Sequence, residues 1–207
     1  NCSIDNYLLA AEKLVHRGYH VIRVGSIVGD LMKTDNPKII EYAHNGYRTE
    51  LLDIFLPANC YFFVGCGSGP DFIPIAFKRP EVFVNISQLE GITSWSSNCL
   101  IIFKKPWIKQ GKRFMALREV MELGIGRINR TYELENMGIE LVENSPEEIL
   151  DVVIEMDERL KGTWENSEED EELQRRFWNI FKVNDLSKVI RARIGTKFLR
   201  QNKELLN

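Results

Sequence analysis

The chain has 207 residues, 44% hydrophobic, 28% charged and 10% aromatic, with a net charge of −3. That balance matches globular domains and excludes collagen, coiled coil and wholesale disorder. A chain of this length buries about 70% of its unfolded surface, so a core forms without disulfide staples.

Ile4, Leu8, Ala11 and Val15 recur on one face of a helix, and Gly18 stands where a left-handed residue would end it. A strand follows from Tyr19 to Val24 and stops at Gly25-Ser26. Arg48 to Leu56 reads as a helix with Leu51, Leu52, Phe55 and Leu56 on one face, and Pro57 marks its end. Cys60 to Val64 is a continuous apolar run of the kind found in central parallel strands. Gly65-Cys66-Gly67-Ser68-Gly69 comes next, and Pro70 opens a short helix through about Phe77. Pro80 introduces a strand over Val82, Phe83 and Val84 that ends at Asn85. Further strands are expected at Leu100 to Phe103 and Ile139 to Val142, with a short helix around Leu117 to Leu123.

Ser145-Pro146-Glu147-Glu148 is a capping box, and the stripe Ile149, Val152, Val153, Met156, Leu160 marks the helix it opens. A last helix, about Glu168 to Phe181, turns Leu173, Phe177, Ile180 and Phe181 inward. From Glu133 to Glu172 there are 16 acidic and 2 basic residues; from Leu173 to Lys203 there are 9 basic and 1 acidic. Two C-terminal segments of opposite charge facing each other account for this, and no aromatic-interleaved basic patch speaks for nucleic acid.

Repeated β-then-α units joined by short Gly/Pro loops predict an α/β fold: a Rossmann-like parallel sheet flanked by helices. Residues 1–145 would form this domain, and residues 146–207 a helical C-terminal extension packed on it. Ligands of such sheets bind beyond the carboxyl ends of the strands, here after Val24, Val64 and Val84.

The four cysteines, Cys2, Cys60, Cys66 and Cys99, lie apart without a C-x-x-C pair, and His16, His20 and His44 are not clustered with them. They read as reduced thiols in a cytoplasmic chain without structural metal. No apolar run reaches the roughly 18 residues of a membrane-spanning helix; peripheral membrane association stays open. A chain that opens on Asn1 and runs almost directly into a helical pattern is expected to belong to a longer protein.

Gly65, Gly67 and Gly69 allow close backbone approach to a phosphate, the helix start supplies unpaired amides, and Ser68 adds a hydroxyl. Asp71 runs against this, because a carboxylate in the first helical turn either caps the helix or binds a hydroxyl. Arg23, in an apolar strand beside Gly25 and Ser26, either holds a diphosphate bidentately or forms a structural ion pair, with Asp53 as partner. The loop is also similar to that of S-adenosylmethionine-dependent methyltransferases. Phe63 and Asn85, however, stand where that family carries acidic residues.

A wider likeness covers about Tyr7 to Asn85. Tyr7-Leu8-Leu9-Ala10-Ala11 followed by Gly18 to Gly25, the Arg48 to Leu56 helix, Phe62-Phe63-Val64-Gly65 with Ser68-Gly69, and Arg79-Pro80 with Val84-Asn85 resemble, in order, the motifs of a bacterial family of glycosyltransferases. Weaker agreement continues at Leu117 to Glu119 and from Gly138 to Trp178. Pro57 and the cysteine of Gly65-Cys66-Gly67 depart from the commoner pattern. The resemblance implies the C-terminal, nucleotide-sugar-binding half of a GT-B enzyme, free of metal and cofactor, acting on a glycan or other hydroxyl acceptor. The acceptor half would lie N-terminal of this chain and carry the catalytic base. Arg23, Gly25, Gly65, Gly67, Ser68 and Gly69 are then expected around the donor diphosphate, and Ser26 and Asn85 at donor hydroxyls or phosphate. A methyltransferase and a non-catalytic α/β binding domain are the alternatives.

Overall fold

The computed structural model describes residues 2–25, 29–91, 97–181 and 191–207. A 3-10 turn, Ile4–Tyr7, leads into helix α1 (Leu8–His16), which buries Ala10, Ala11 and Leu14. Gly18, at φ +97°, makes the left-handed exit expected of it. Strand β1 (Val21–Arg23) pairs in parallel with β2 (Ile39–Glu41), forming a small sheet of their own. Helix α2 (Glu50–Asn59) is capped by Thr49, whose hydroxyl accepts from the Leu52 amide at 3.2 Å. Pro57 lies inside this helix rather than ending it. Proline removes one backbone donor but keeps a helical φ, and Pro57 and Ala58 are buried, so the last turn holds.

The main sheet is built from β3 (Phe63–Gly65), β4 (Glu81–Ile86), β5 (Cys99–Phe103) and, from the far end of the chain, β9 (Arg193–Ile194). Its order is β3-β4-β5-β9, and each of the pairs is parallel. Between β3 and β4 stands helix α3 (Phe72–Ala76). The architecture is therefore the expected Rossmann-like α/β arrangement, with two differences. The Cys60 to Val64 run, read as a central strand, leads into an edge strand; the positions buried from both sides belong to β4 and β5. The C-terminal stretch, read as helical, also contributes β9 to the sheet.

A second sheet, antiparallel, has the order β7-β6-β8, from β6 (Lys105–Ile108), β7 (Arg113–Phe114) and β8 (Ile139–Val142). Ile139 to Val142 is thus a strand as expected, but of this sheet and not of the parallel one. Helices α4 (Leu117–Glu122) and α5 (Thr131–Asn136) lie between β7 and β8.

Helix α6 (Pro146–Lys161) presses Ile149, Val152, Val153 and Met156 into the core. Its capping box is formed: the Ser145 hydroxyl accepts from the Glu148 amide at 3.2 Å, and the Glu148 carboxylate accepts from the Ser145 amide at 3.0 Å. Helix α7 (Glu168–Ile180) and helix α8 (Thr196–Gln201) carry the segregated charge. Arg200 holds the buried Asp170 through two bonds of 2.6 Å, Arg193 pairs with Glu171 at 2.8 Å, and Lys203 pairs with Glu169. The Arg200 guanidinium holds the Asp170 carboxyl down at about 2. The acidic start of α7 and the basic residues after it are therefore two sides of one clamp.

Gly195, between β9 and α8, shows how closely α6 lies on the sheet. A Cβ there would stand 2.9 Å from Cγ2 of Ile102 and 3.1 Å from Cγ2 of Val152, both short branched side chains that cannot swing away. Gly195→Ala should accordingly cost about 1–3 kcal/mol, the usual penalty of overpacking. The measurement is the urea midpoint of the intact chain, and an unchanged midpoint would mean that helix and sheet separate freely at this point.

Candidate functional site

Gly65 closes β3, and Cys66, Gly67 and Ser68 form an exposed loop ahead of a 3-10 turn, Gly69–Asp71. Beneath this loop the Asp71 side chain is buried, and its carboxylate turns back into the loop. One carboxylate oxygen accepts from the Ser68 amide at 2.7 Å, the other from the Ser68 hydroxyl at 3.2 Å. The amides of Gly67 and Cys66 also face it and favour its charged form. Successive amides converging on one anion form a nest. In this chain the anion in the nest is internal.

That arrangement explains two of the glycines. A Cβ on Gly65 would lie 2.6 Å from both Cγ and Oδ1 of Asp71, so no side chain fits while the carboxylate is there. Gly67, at φ +80°, takes a left-handed conformation that an L side chain rarely adopts. Burial is the strongest influence on Asp71 and pushes its carboxyl up; the bonds from Ser68, Gly67 and Cys66 work in the opposite direction. The helix that follows is a single short piece, Phe72–Ala76, so it adds little dipole to the site.

Beside the loop, past the carboxyl ends of β3 and β4, lies a cavity of ≈ 320 Å³. Cys66, Gly67 and Ser68 form one rim, Ser87 and Gln88 another, and Ile75, Phe83 and Ile101 supply apolar lining. The volume is at the lower end of the range for small-ligand sites, which combine an apolar wall with a few polar groups. Ser87 and Gln88 were not singled out in the sequence, because they follow the strand end at Asn85 without any Gly, Pro or charge signal of their own.

The structure brings Gly65, Gly67, Ser68 and Gly69 together but gives the remaining expected residues other surroundings. Arg23 donates to the carbonyl oxygen of Asp30 at 2.5 Å and to the carboxylate of Glu41 at 3.2 and 3.3 Å. Its ion-pair partner is therefore Glu41, one strand over in the small sheet, and not Asp53, which pairs with Arg48 at 2.7 Å. Gly25 follows that strand at φ +148°, and Ser26 lies outside the described residues. Neither Arg23 nor Gly25 lines the cavity.

Asn85 is buried in a left-handed conformation, φ +57°, and its side chain is spent on structure. Its amide donates to Asn144 Oδ1 and its Oδ1 accepts from the Asn144 amide, both at 2.7 Å. Asn85 Nδ2 reaches Tyr7 Oη at 3.4 Å, and Asn144 Nδ2 donates to the Phe103 carbonyl at 2.9 Å. This pair staples the ends of β4 and β5 to the start of α6.

One further acid belongs to this region. Glu81 opens β4 at 1% exposure, and neither of its carboxyl oxygens has a hydrogen-bond partner. Burial, followed by the negative charge of Asp71, pushes it up to about 9. The expected strand began at Val82, which left Glu81 outside the buried pattern. Among the described residues no group of three or more His, Cys, Asp or Glu is placed to hold a metal ion. Likewise no helix among them is long and apolar enough to cross a membrane. Comparison with protein-family models, curated proteins and solved structures gives no match.

The buried acid fixes a pH dependence. The folded chain keeps the Glu81 proton up to about 9, whereas the unfolded chain releases it at the ordinary value of 4.5. More protons on the folded side mean that stability falls as pH rises through this window and levels off above it. Glu81→Gln removes the titration, so the variant's denaturation midpoint should gain steadily on that of the unmodified chain from pH 5 to pH 9. A constant difference between the two across that range would show that Glu81 is ionised in the fold.

Proposed function

We propose that this chain is the donor-binding half of a glycosyltransferase of the GT-B type, which transfers a sugar from a nucleoside-diphosphate sugar to a hydroxyl of a glycan or another acceptor without a metal ion. The observation that carries the reading is the cavity beyond the carboxyl ends of two parallel strands, bordered by the glycine loop. Its apolar lining suits a base or the face of a sugar ring, while Ser68, Ser87 and Gln88 offer hydroxyl and amide groups to the ligand's polar edge. The ordered sequence motifs, from α1 through β1, α2, β3 and the loop to β4, support the same reading. Residues of an N-terminal acceptor domain would supply the base that activates the acceptor hydroxyl.

Asp71 refines the role of each loop residue. Because its carboxylate already takes the Ser68 amide and faces those of Cys66 and Gly67, this loop is poorly disposed to a diphosphate. The neutral, hydroxyl-rich part of the donor is then the better neighbour for this loop, with Ser68 Oγ as the first contact. Gly69, Arg23, Gly25 and Ser26 stay assigned to the donor's phosphates, a role for which Arg23 would have to exchange Glu41 for the ligand. The same feature favours a second reading, a non-catalytic α/β binding domain whose glycine turn serves packing around Asp71.

A thermal-shift screen of nucleosides, nucleoside diphosphates, nucleotide sugars and S-adenosylmethionine, in the presence of EDTA, separates these readings. A matching nucleotide sugar should stabilise the chain by about 2.7 kcal/mol at a hundredfold excess over Kd. Ser68→Ala should weaken that ligand by about 1 kcal/mol, the net worth of one hydrogen bond. Loss of stability in the ligand-free variant with nucleotide affinity intact would favour the packing turn. Stabilisation by S-adenosylmethionine alone would favour a methyltransferase.

A further inference from the structure

Helix α2 is apolar on two sides. Its Pro57 and Ala58 are buried, whereas Leu51, Ile54 and Phe55, spaced i, i+3 and i+4 and so on one face, are 73%, 51% and 53% exposed. Helix α3 packs against α2. It adds Phe72 at its start, 72% exposed, and Phe77 just past its end, 56% exposed. A helix that is hydrophobic all round is normally buried, and no described part of this chain covers the outer face of α2.

Charge is missing from this surface as well. From Ile54 to Phe77, a run of 24 residues in a chain that is 28% charged, the single Asp, Glu, Lys or Arg is Asp71, and Asp71 is buried. The outer sides of α2 from Ile54 onward and of α3 therefore present apolar groups to solvent without an intervening charge. The centres of protein–protein interfaces have this composition: they are depleted in charge and enriched in aromatic side chains.

We propose that the exposed face of α2 and α3 is the surface through which two copies of this chain associate about a two-fold axis. The first argument is area. At roughly 200 Å² for each whole residue, the five exposed side chains leave about 600 Å² open. That is the upper end of what a monomer ordinarily exposes in one patch, roughly 300–600 Å². It is also most of the roughly 800 Å² that each partner of a stable interface buries, the remainder coming from a polar rim.

Charge supplies the second argument. In a two-fold contact the same patch meets itself, so a charge near the axis would face its own kind. This patch has none, and the nearest charges along the chain are of both signs: Glu50 and the Arg48–Asp53 pair before it, Lys78 after it. A lipid surface is the poorer fit. Helices that lie on membranes carry Lys and Arg beside their apolar face, whereas α2 has neither and begins with Glu50 and Asp53 in its first turn. Phe72 also lines the cavity, so the second copy would stand beside its mouth, whatever ligand the cavity takes.

The test is sedimentation velocity of the intact chain from about 1 to 100 µM. The expected result is a monomer of 24.0 kDa in equilibrium with a species of twice that mass, which dominates at the upper end. Ile54→Glu and Phe55→Glu should each weaken the dimer by about a hundredfold or more, because each would place a like charge on both sides of the contact. Both positions are exposed, so the urea midpoint at the lowest concentration should stay that of the unsubstituted chain. Leu123→Glu, at an exposed apolar residue after α4, should leave the dimer intact. A monomer throughout the range, a dimer indifferent to Ile54→Glu and Phe55→Glu, or a dimer that Leu123→Glu disrupts equally would overturn the proposal. So would co-flotation with phosphatidylcholine–phosphatidylserine vesicles that Phe55→Glu abolishes, since lipid would then be the occupant. The measurement on the unsubstituted chain needs no variant to fold.

Discussion

The carboxylate of Asp71, buried under the glycine loop, held by the amide and hydroxyl of Ser68 and faced by the amides of Cys66 and Gly67, is the constraint around which this end of the molecule is arranged. An ionised group at that depth is costly unless several donors face it. The loop provides those donors, and to do so it must curl tightly. Gly65 has no side chain because the carboxylate fills the place of its Cβ, and Gly67 has none because the curl needs a positive φ. The loop is thereby shaped before any ligand arrives, with Cys66, Gly67 and Ser68 exposed along it.

The same charge reaches further. Glu81, at the start of the neighbouring strand, stays protonated because it is buried and because Asp71 is already negative. Cys66 keeps its proton partly for that reason as well. The buried anion therefore adds to burial in keeping the proton on an acid inside the sheet. On the opposite side of the sheet, α6 and the Asp170–Arg200 clamp hold β9 and α8 in place. The loop is thus supported by a sheet whose last strand comes from the end of the chain.

The elements legible in the sequence were those whose signal is local. Helix α6 could be read from its capping box and stripe, and β5 from an unbroken apolar run. The facing charges of α7 and α8 could be read from their segregation along the chain. What was not legible depends on partners that no periodicity announces. Strand β2 is three residues long, so nothing marked Glu41 as the partner of Arg23. Strand β6 contains Pro106 and lacks alternation, which hid the antiparallel sheet and placed β8 in the wrong one. In the candidate site, the glycine loop and the tension with Asp71 were visible as residue types. The direction of the carboxylate was not, nor was the meeting of Asn85 with Asn144, which depends on long-range packing.

The central claim, that the loop's amides close on an internal carboxylate, is tested most directly by amide hydrogen exchange at Cys66, Gly67 and Ser68 in the unsubstituted chain and in Asp71→Ala, with and without pyrophosphate. The expected result is slow exchange at these three amides in the unsubstituted chain, indifferent to pyrophosphate, and fast exchange in Asp71→Ala that pyrophosphate slows again by entering the emptied nest. Equal exchange in the two proteins without ligand, in a variant that remains folded, would contradict the account, because the amides would then owe nothing to Asp71.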